Sequence, residues 1–262
     1  MKTSFFSFHV VSPSPWPLYM SCSSFCLLST ILLSINLVPY FILNLVLSLT
    51  FFFLTFYGWM RDVCYEGFLE GEHTMDVQKG LKMGMVMFIT SEVMFFFSFF
   101  WSIFYYSLSP SSEIYSWPPV GLMMVNPLEM PLLITLVLLS SGISITWSHH
   151  SMLENNKTSA SFSLFFTIFL GLGFSVLQVK EYIDCSFTIA DSVFGSIFYL
   201  STGFHGFHMI LGTSMLIVCY LRMTLNHFSK IHHVGYEASV WYWHFVDVVW
   251  LFLYICMYWW SS

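Results

Sequence analysis

The chain is 262 residues long, 57% hydrophobic and 21% aromatic, with only 8% charged residues, and its mean hydropathy is +0.74. Those values lie far from the averages of a water-soluble domain and mark an integral membrane protein. A hydrocarbon core about 30 Å thick takes roughly 20 apolar residues in helical form, which limits the chain to about eight to ten spans. The apolar runs are too long, and alternate too little, to be barrel strands. The formal net charge of −6 resides in short connections and says little about partners; without a basic stripe, no nucleic-acid partner is expected. The six cysteines are scattered without a CxxC pair, so neither a disulfide framework nor a zinc site is read from them. MKTSFFSFHVVSPSPWPLYM carries polar residues and prolines where a signal peptide has its apolar core, and it lacks the arginines of a transit peptide, so no cleavage is expected.

Polar or proline-rich breaks mark off seven apolar segments. The first, 16–35, is introduced by PSPWP, whose prolines suit a turn and whose tryptophan suits an interfacial anchor. Asn36 and Pro39 end it. The second, 40–60, stops at Arg61 and Asp62, and a charged loop over 61–82 leads to the third, 83–106. SPSSEIYSWPPVGLMMVNPLEMP has too many helix breakers to span. The remaining segments are 131–148, 162–179, 193–220 and 240–260, and no internal repeat is visible. The expectation is an all-α integral membrane chain of seven transmembrane helices in a single domain. A leading segment 1–15 precedes helices 1 and 2 (16–60), the connection 61–82 and helices 3 to 7 (83–260). With seven spans, the N-terminus and the even-numbered connections share one face. That face holds Lys2, Arg61, Lys79, Lys82, Lys157, Arg222 and Lys230, against Lys180 alone on the other, which puts the N-terminus on the cytoplasmic or matrix side.

FITSEVMFFF places Glu92 ten residues past Lys82, about 15 Å inward along the third segment. An ionised carboxylate at that depth is costly unless paired. Glu92 is therefore expected to be protonated, hydrogen-bonded within a bundle, or on a proton path. In the sixth segment, STGFHGFHMILG sets His205 and His208 three apart on one helical face, with Gly203, Gly206 and Gly212 allowing close helix approach. Such a pair can ligate a metal or haem, with His149, His150, His232 and His233 as further imidazoles. No additional ligand has motif spacing, and interhelical hydrogen bonding is the preferred reading. In the seventh segment Glu237, Trp241 and His244 share a face, and His244 precedes Asp247 by three residues, a spacing that suits a structural His–Asp pair. Trp259 and Trp260 suit the far interface. Trp59, Arg61, Glu66, His73, Lys79, Lys82 and Arg222 gather at helix ends, as phospholipid headgroup sites do and as solvated ends also do. No Ser/His/Asp set, phosphate loop or HExxH motif is present, so no catalytic residue is assigned.

Several strings together resemble one family: SPSPWPL, VQKGLKMGM with FITSEVMFF, WPPVG with NPLE, SGISITWSHHS, the EY after the fifth segment, STGFHGFHMILG, and WYWHFVDVVWLFLY with YWW. They resemble cytochrome c oxidase subunit III of the mitochondrial type, from about residue 8 to residue 260. The resemblance implies a seven-helix subunit with no haem, copper or other metal, whose first two helices splay from the other five around a V-shaped cleft that holds phospholipids. It implies residence in the mitochondrial inner membrane with the N-terminus in the matrix. It also implies packing against subunit I, which holds the redox centres that reduce dioxygen and pump protons, with subunit II, small accessory subunits and a respiratory supercomplex as further partners. Positions matching the family's lipid contacts are Trp59, Glu66, His73, Phe88 and Arg222. Glu92 matches its intramembrane carboxylate, and His9 a histidine near the mouth of the proton-uptake channel. The implied role is to support subunit I, sustain proton uptake and protect the oxidase from turnover-linked inactivation. His205, His208, His244 and Asp247 are then structural polar residues.

The chain departs from the family pattern in places. It has Trp59-Met60-Arg61 where tandem tryptophans often precede the arginine, Glu72-His73-Thr74 where paired histidines often stand, and Tyr65 where an arginine often precedes Glu66. Individual headgroup contacts are altered by these changes, while the fold is not. Two other classes compete. One is an independent proton or ion transporter built on Glu92, Asp247 and the buried histidines; the other is an intramembrane metalloenzyme built on His205, His208 and the further imidazoles His149, His150, His232 and His233. Transporters usually show repeats or broken helices at their binding site, and neither is seen here.

Overall fold

In a hydrocarbon solvent each backbone must satisfy its own hydrogen bonds, and the chain does so helix by helix. The computed structural model describes residues 7–36, 39–109 and 116–261; Lys2 of the charge asymmetry lies outside them. The helices are α1 (Trp16–Ile35), α2 (Phe41–Tyr65), α3 (Met75–Leu108), α4 (Met130–Leu153), α5 (Lys157–Asp184), α6 (Val193–Thr224) and α7 (Val234–Leu253). All seven are long and apolar enough to cross a membrane, and no strand occurs among the described residues. Pro17 and Pro131 sit in the first turns of α1 and α4, where a missing N–H costs nothing. Asn156 and Ser192 cap α5 and α6 by accepting from the backbone N–H of Ser159 and Gly195.

The charged stretch 61–82, expected to be a loop, is mostly helical. α2 continues through Tyr65 into a π-helical turn at Glu66–Glu70, and α3 already starts at Met75. Polarity marks where hydrocarbon ends, and a helix can run on into the headgroup region. Thr74 makes the restart possible: its hydroxyl accepts from the Val77 N–H at 3.4 Å and donates to the Ser7 carbonyl. At the other end of the chain α7 passes into a π-helical turn at Tyr254–Trp259.

The chain forms two compact units, residues 1–81 and 82–262. In the first unit α1 and α2 pair through small and polar residues. Ser23 meets Thr55 at 3.1 Å and Thr30 meets Ser48 at 2.7 Å. Trp16, expected to be an interfacial anchor, lies over Gly58 and donates its indole N–H to Asp62 at 2.7 Å.

The second unit is built on a serine seam along α4. Ser141, Ser144, Ser148 and Ser151 recur at intervals of three and four, and all are buried. Small residues let backbones approach, and their hydroxyls hydrogen-bond where no water can. Ser144 bonds Thr167 of α5 at 2.7 Å, and Ser148 donates to the Ala160 carbonyl at 2.9 Å. The seam also receives α7: the Trp243 indole donates to Ser141 at 3.0 Å and the Tyr236 hydroxyl to Ser148 at 2.7 Å. α7 is thereby the central helix, with 61% of its apolar window buried against 6% for α3. α3 joins the unit through large side chains, with Phe96 against Phe245 and Phe100 against Phe252.

Gly171 of α5 shows how tight the centre is. A β-carbon there would lie 2.6 Å from both the Trp243 ring and the Thr213 methyl, whereas one at Gly173 would meet nothing. Gly171→Val is therefore expected to lower the stability of the second unit by about 1–3 kcal/mol through overpacking. Gly173→Ala should be neutral or slightly stabilising. Thermal inactivation of the two variants in parallel checks the contrast.

Candidate functional site

The intramembrane carboxylate has found a partner on another helix. Glu92 of α3 lies 2.8 Å from His208 Nε2 of α6, and both side chains are largely shielded, at 21% and 8% exposure. Aromatic rings enclose the imidazole: Phe95 and Tyr242 stack on it, and Phe96 meets it edge-on. His208 Nδ1 is 2.7 Å from the Phe204 carbonyl one turn earlier, and a carbonyl only accepts, so Nδ1 carries a proton. Nε2 then either accepts from protonated Glu92 or, itself protonated, donates to the carboxylate. In both forms the pair is net neutral and shares one proton, which lowers the cost of keeping it in an apolar setting.

The two histidines of STGFHGFHMILG turn to different helices, so their i, i+3 spacing does not make them a ligand pair. His205 is fully buried and its Nε2 lies 3.2 Å from the Val246 carbonyl of α7, with Trp250 and Phe174 packed on the ring. His244 and Asp247 approach to 3.8 Å, as their spacing suggested. Asp247 is the buried member and faces Gly142 of α4, where a β-carbon would stand 2.8 Å from its Oδ2.

Charged groups of the second unit gather at one end. Lys82 Nζ pairs with Glu237 Oε2 at 2.6 Å, an ion pair between α3 and α7 within the second unit. The other oxygen of Glu237 lies 3.4 Å from His233 Nε2. Arg222, in the last turn of α6, lays its guanidinium over Phe228 at 4.5 Å. His232, in the connection before α7, is held below the usual imidazole range by burial first, then by the charges of Arg222 and His233. Phe88 stacks on Tyr242 and is half exposed, presenting one apolar face outward.

In the first unit, Glu66 lies 3.9 Å from His9, so the π-helical turn and the N-terminal segment are within ionic reach. His73 packs its ring against Gly67, one residue along from Glu66. Trp59 is partly exposed on α2, seven residues before Glu66.

Sequence reading overlooked a buried polar cluster. Gln178 and Glu181 of α5 are 5% and 3% exposed and crowd around Tyr258 of the terminal π-helical turn. The signal was available: 167, 171, 174, 178 and 181 continue at intervals of four and three the inner face of α5 that packs on the serine seam. The polar identity of the last two masked the periodicity.

A family profile described as cytochrome c oxidase subunit III matches residues 6–262. The chain is similar to proteins named cytochrome c oxidase subunit 3 from Osphranter robustus (51% identity over 261 residues) and Canis lupus (52% over 261 residues), covering 98% of each chain in both cases. It is likewise similar to the protein of that name from Anopheles quadrimaculatus, at 50% identity over 258 residues and 97% of each chain.

The proton count at Glu92 makes a prediction that charge alone does not. Glu92→Gln keeps a side-chain N–H able to donate to His208 Nε2, so the variant should retain the wild-type thermal midpoint to within a few degrees. Glu92→Leu strands a buried imidazole and should cost about 1–3 kcal/mol. Equal loss in both variants, measured by thermal inactivation, contradicts a neutral hydrogen-bonded pair.

Proposed function

Because the chain belongs to the cytochrome c oxidase subunit III family, we propose that it is a phospholipid-binding subunit that supports subunit I in the mitochondrial inner membrane. It is a multi-pass membrane protein and a core subunit of the terminal oxidase, and its family identity implies no redox centre of its own. The observation that carries the reading is the family match across residues 6–262. In the proposal, haem and copper belong to partner subunits, and subunit II, small accessory subunits and larger respiratory assemblies complete the surroundings.

The geometry supports a supporting role over an independent one. Glu92 is bound to a histidine inside a wall of aromatic rings, a neutral arrangement that can hold α3 against α6 without moving charge. α3 presents Met83, Met87, Met94, Phe97 and Trp101 outward at intervals of a helical face, all more than half exposed. Such a stripe needs acyl chains or another subunit to cover it. Arg222 and Phe88 in the second unit, and Trp59, Glu66 and His73 in the first, are the proposed lipid contacts. Arg222 combines a cation with an apolar base at a helix end, as phosphate headgroup sites do. The His9–Glu66 approach suits the proposed place near proton uptake, because it sets an imidazole beside a carboxylate at the membrane surface.

Two measurements test this reading. The chain solubilised in mild detergent should migrate on native gels with a haem-containing partner and with oxidase activity, and Glu92→Gln should leave oxygen reduction largely intact. A chain that runs alone, without haem, overturns the assignment in favour of an independent transporter. Arg222→Gln should lose at least one tightly held phospholipid per assembly when lipids are counted by mass spectrometry after delipidating washes. Unchanged lipid content removes Arg222 from the proposed contacts.

A further inference from the structure

At the charged end of the second unit three potential ligands converge from two helices. His149 near the end of α4, His233 at the start of α7 and Glu237 one turn later place a ligand atom each within 4.8 Å of one another. We propose that His149, His233 and Glu237 form a reversible binding site for a divalent transition ion of the zinc class.

The positions of the protons leave two donor atoms facing this gap. His233 is 4% exposed, and its Nδ1 lies 3.0 Å from the Ser229 carbonyl, which can only accept. Nδ1 therefore carries the proton, and in the neutral ring Nε2 presents its lone pair. That nitrogen is buried without a hydrogen-bond partner and faces Glu237 Oε1 at 3.4 Å. A lone pair facing a carboxylate oxygen in a largely shielded gap favours a cation between them, either a metal ion or a proton on Nε2. His149 adds a third donor from α4, since its Nε2 is likewise buried and unpartnered and its ring lies 5.8 Å from that of His233. A backbone carbonyl on the far nitrogen is the usual device that fixes an imidazole for a metal.

The geometry fits zinc. Ligand atoms about 2.0–2.1 Å from a tetrahedral ion stand about 3.3 Å apart. His233 and Glu237 already meet that separation, and His149 has to close in by rotation of its side chain. Lys82 does not block the ion, because it occupies Oε2 of Glu237 and leaves Oε1 to the imidazoles. Two imidazoles and one carboxylate leave a fourth position for water, and the partial exposure of His149 and Glu237 gives the ion a way in. Bound there, the ion ties the end of α4 to the start of α7. The competing occupant of the same gap is a proton on His233 Nε2.

The experiment is performed on the chain purified with its native partners and washed with chelator. Equilibrium dialysis against radioactive zinc should load the wild type with one equivalent more than His149→Gln or Glu237→Gln. His150→Gln, whose imidazole pairs outside the triad with Glu154, should bind as the wild type does. Haem content and native-gel migration establish that each variant is assembled. Should the triad variants not assemble, anomalous diffraction at the zinc edge from the wild-type assembly decides: a peak about 2 Å from both imidazoles and the carboxylate supports the site. Equal zinc binding by assembled wild type and triad variants, equal loss in His150→Gln, or no peak at the triad overturns it.

Discussion

Inside the hydrocarbon, a polar side chain has no water to turn to, and in this protein Glu92, His205, Trp243 and Tyr236 each find a partner on a different helix. The match between Glu92 and His208 is the most demanding of these, because it places an acid and a base across an aromatic interface. α3 has little close backbone contact with the rest of its unit. It is held by phenylalanine rings, by this pair, and by Lys82 on Glu237 at the membrane edge. The fixed tautomer of His208 decides what the pair can be: one shared proton, no net charge, and a directional bond in an environment where the hydrophobic effect gives helices no preference for one another.

The same constraint organises the remaining helices at smaller scale. Serines 141, 144, 148 and 151 take the place that leucines would take in a soluble coiled coil, since between apolar helices in lipid it is close approach and hydrogen bonding that distinguish one packing from another. Trp243 and Tyr236 can be buried whole because their polar atoms land on that seam. Gly171 makes room for the indole. α1 and α2 repeat the device with Ser23, Thr55, Thr30 and Ser48.

Most of the fold was legible because lipid imposes simple rules on sequence. Seven apolar segments became seven helices, and the first, 16–35, coincides with α1. The beginning of α3 was not legible, since hydropathy reports where the hydrocarbon ends and says nothing about where a helix ends. Glu92 stood out by its depth. Its partner did not, because His205 and His208 look equivalent on a helical wheel and only the positions of α3 and α7 send one to a carboxylate and the other to a carbonyl. Glu181 was hidden for a different reason: beside Lys180 it reads as a helix end facing water, and only the inner-face period of α5 reveals that it is buried. His149 and His233 stood out only as further imidazoles for a site on His205 and His208; their convergence with Glu237 was not legible, because the residues come from different helices and meet only in the tertiary structure.

The bond between Glu92 and His208 requires the two to stabilise the bundle as a coupled pair and not as two separate residues. A double-mutant cycle measures that coupling directly, using Glu92→Leu, His208→Phe and the double variant in the assembled complex, read as thermal stability. The double variant should lose less than the sum of the two single losses, with a coupling of about 1–3 kcal/mol, because each single change leaves a buried polar group without its partner. Strictly additive losses would contradict it.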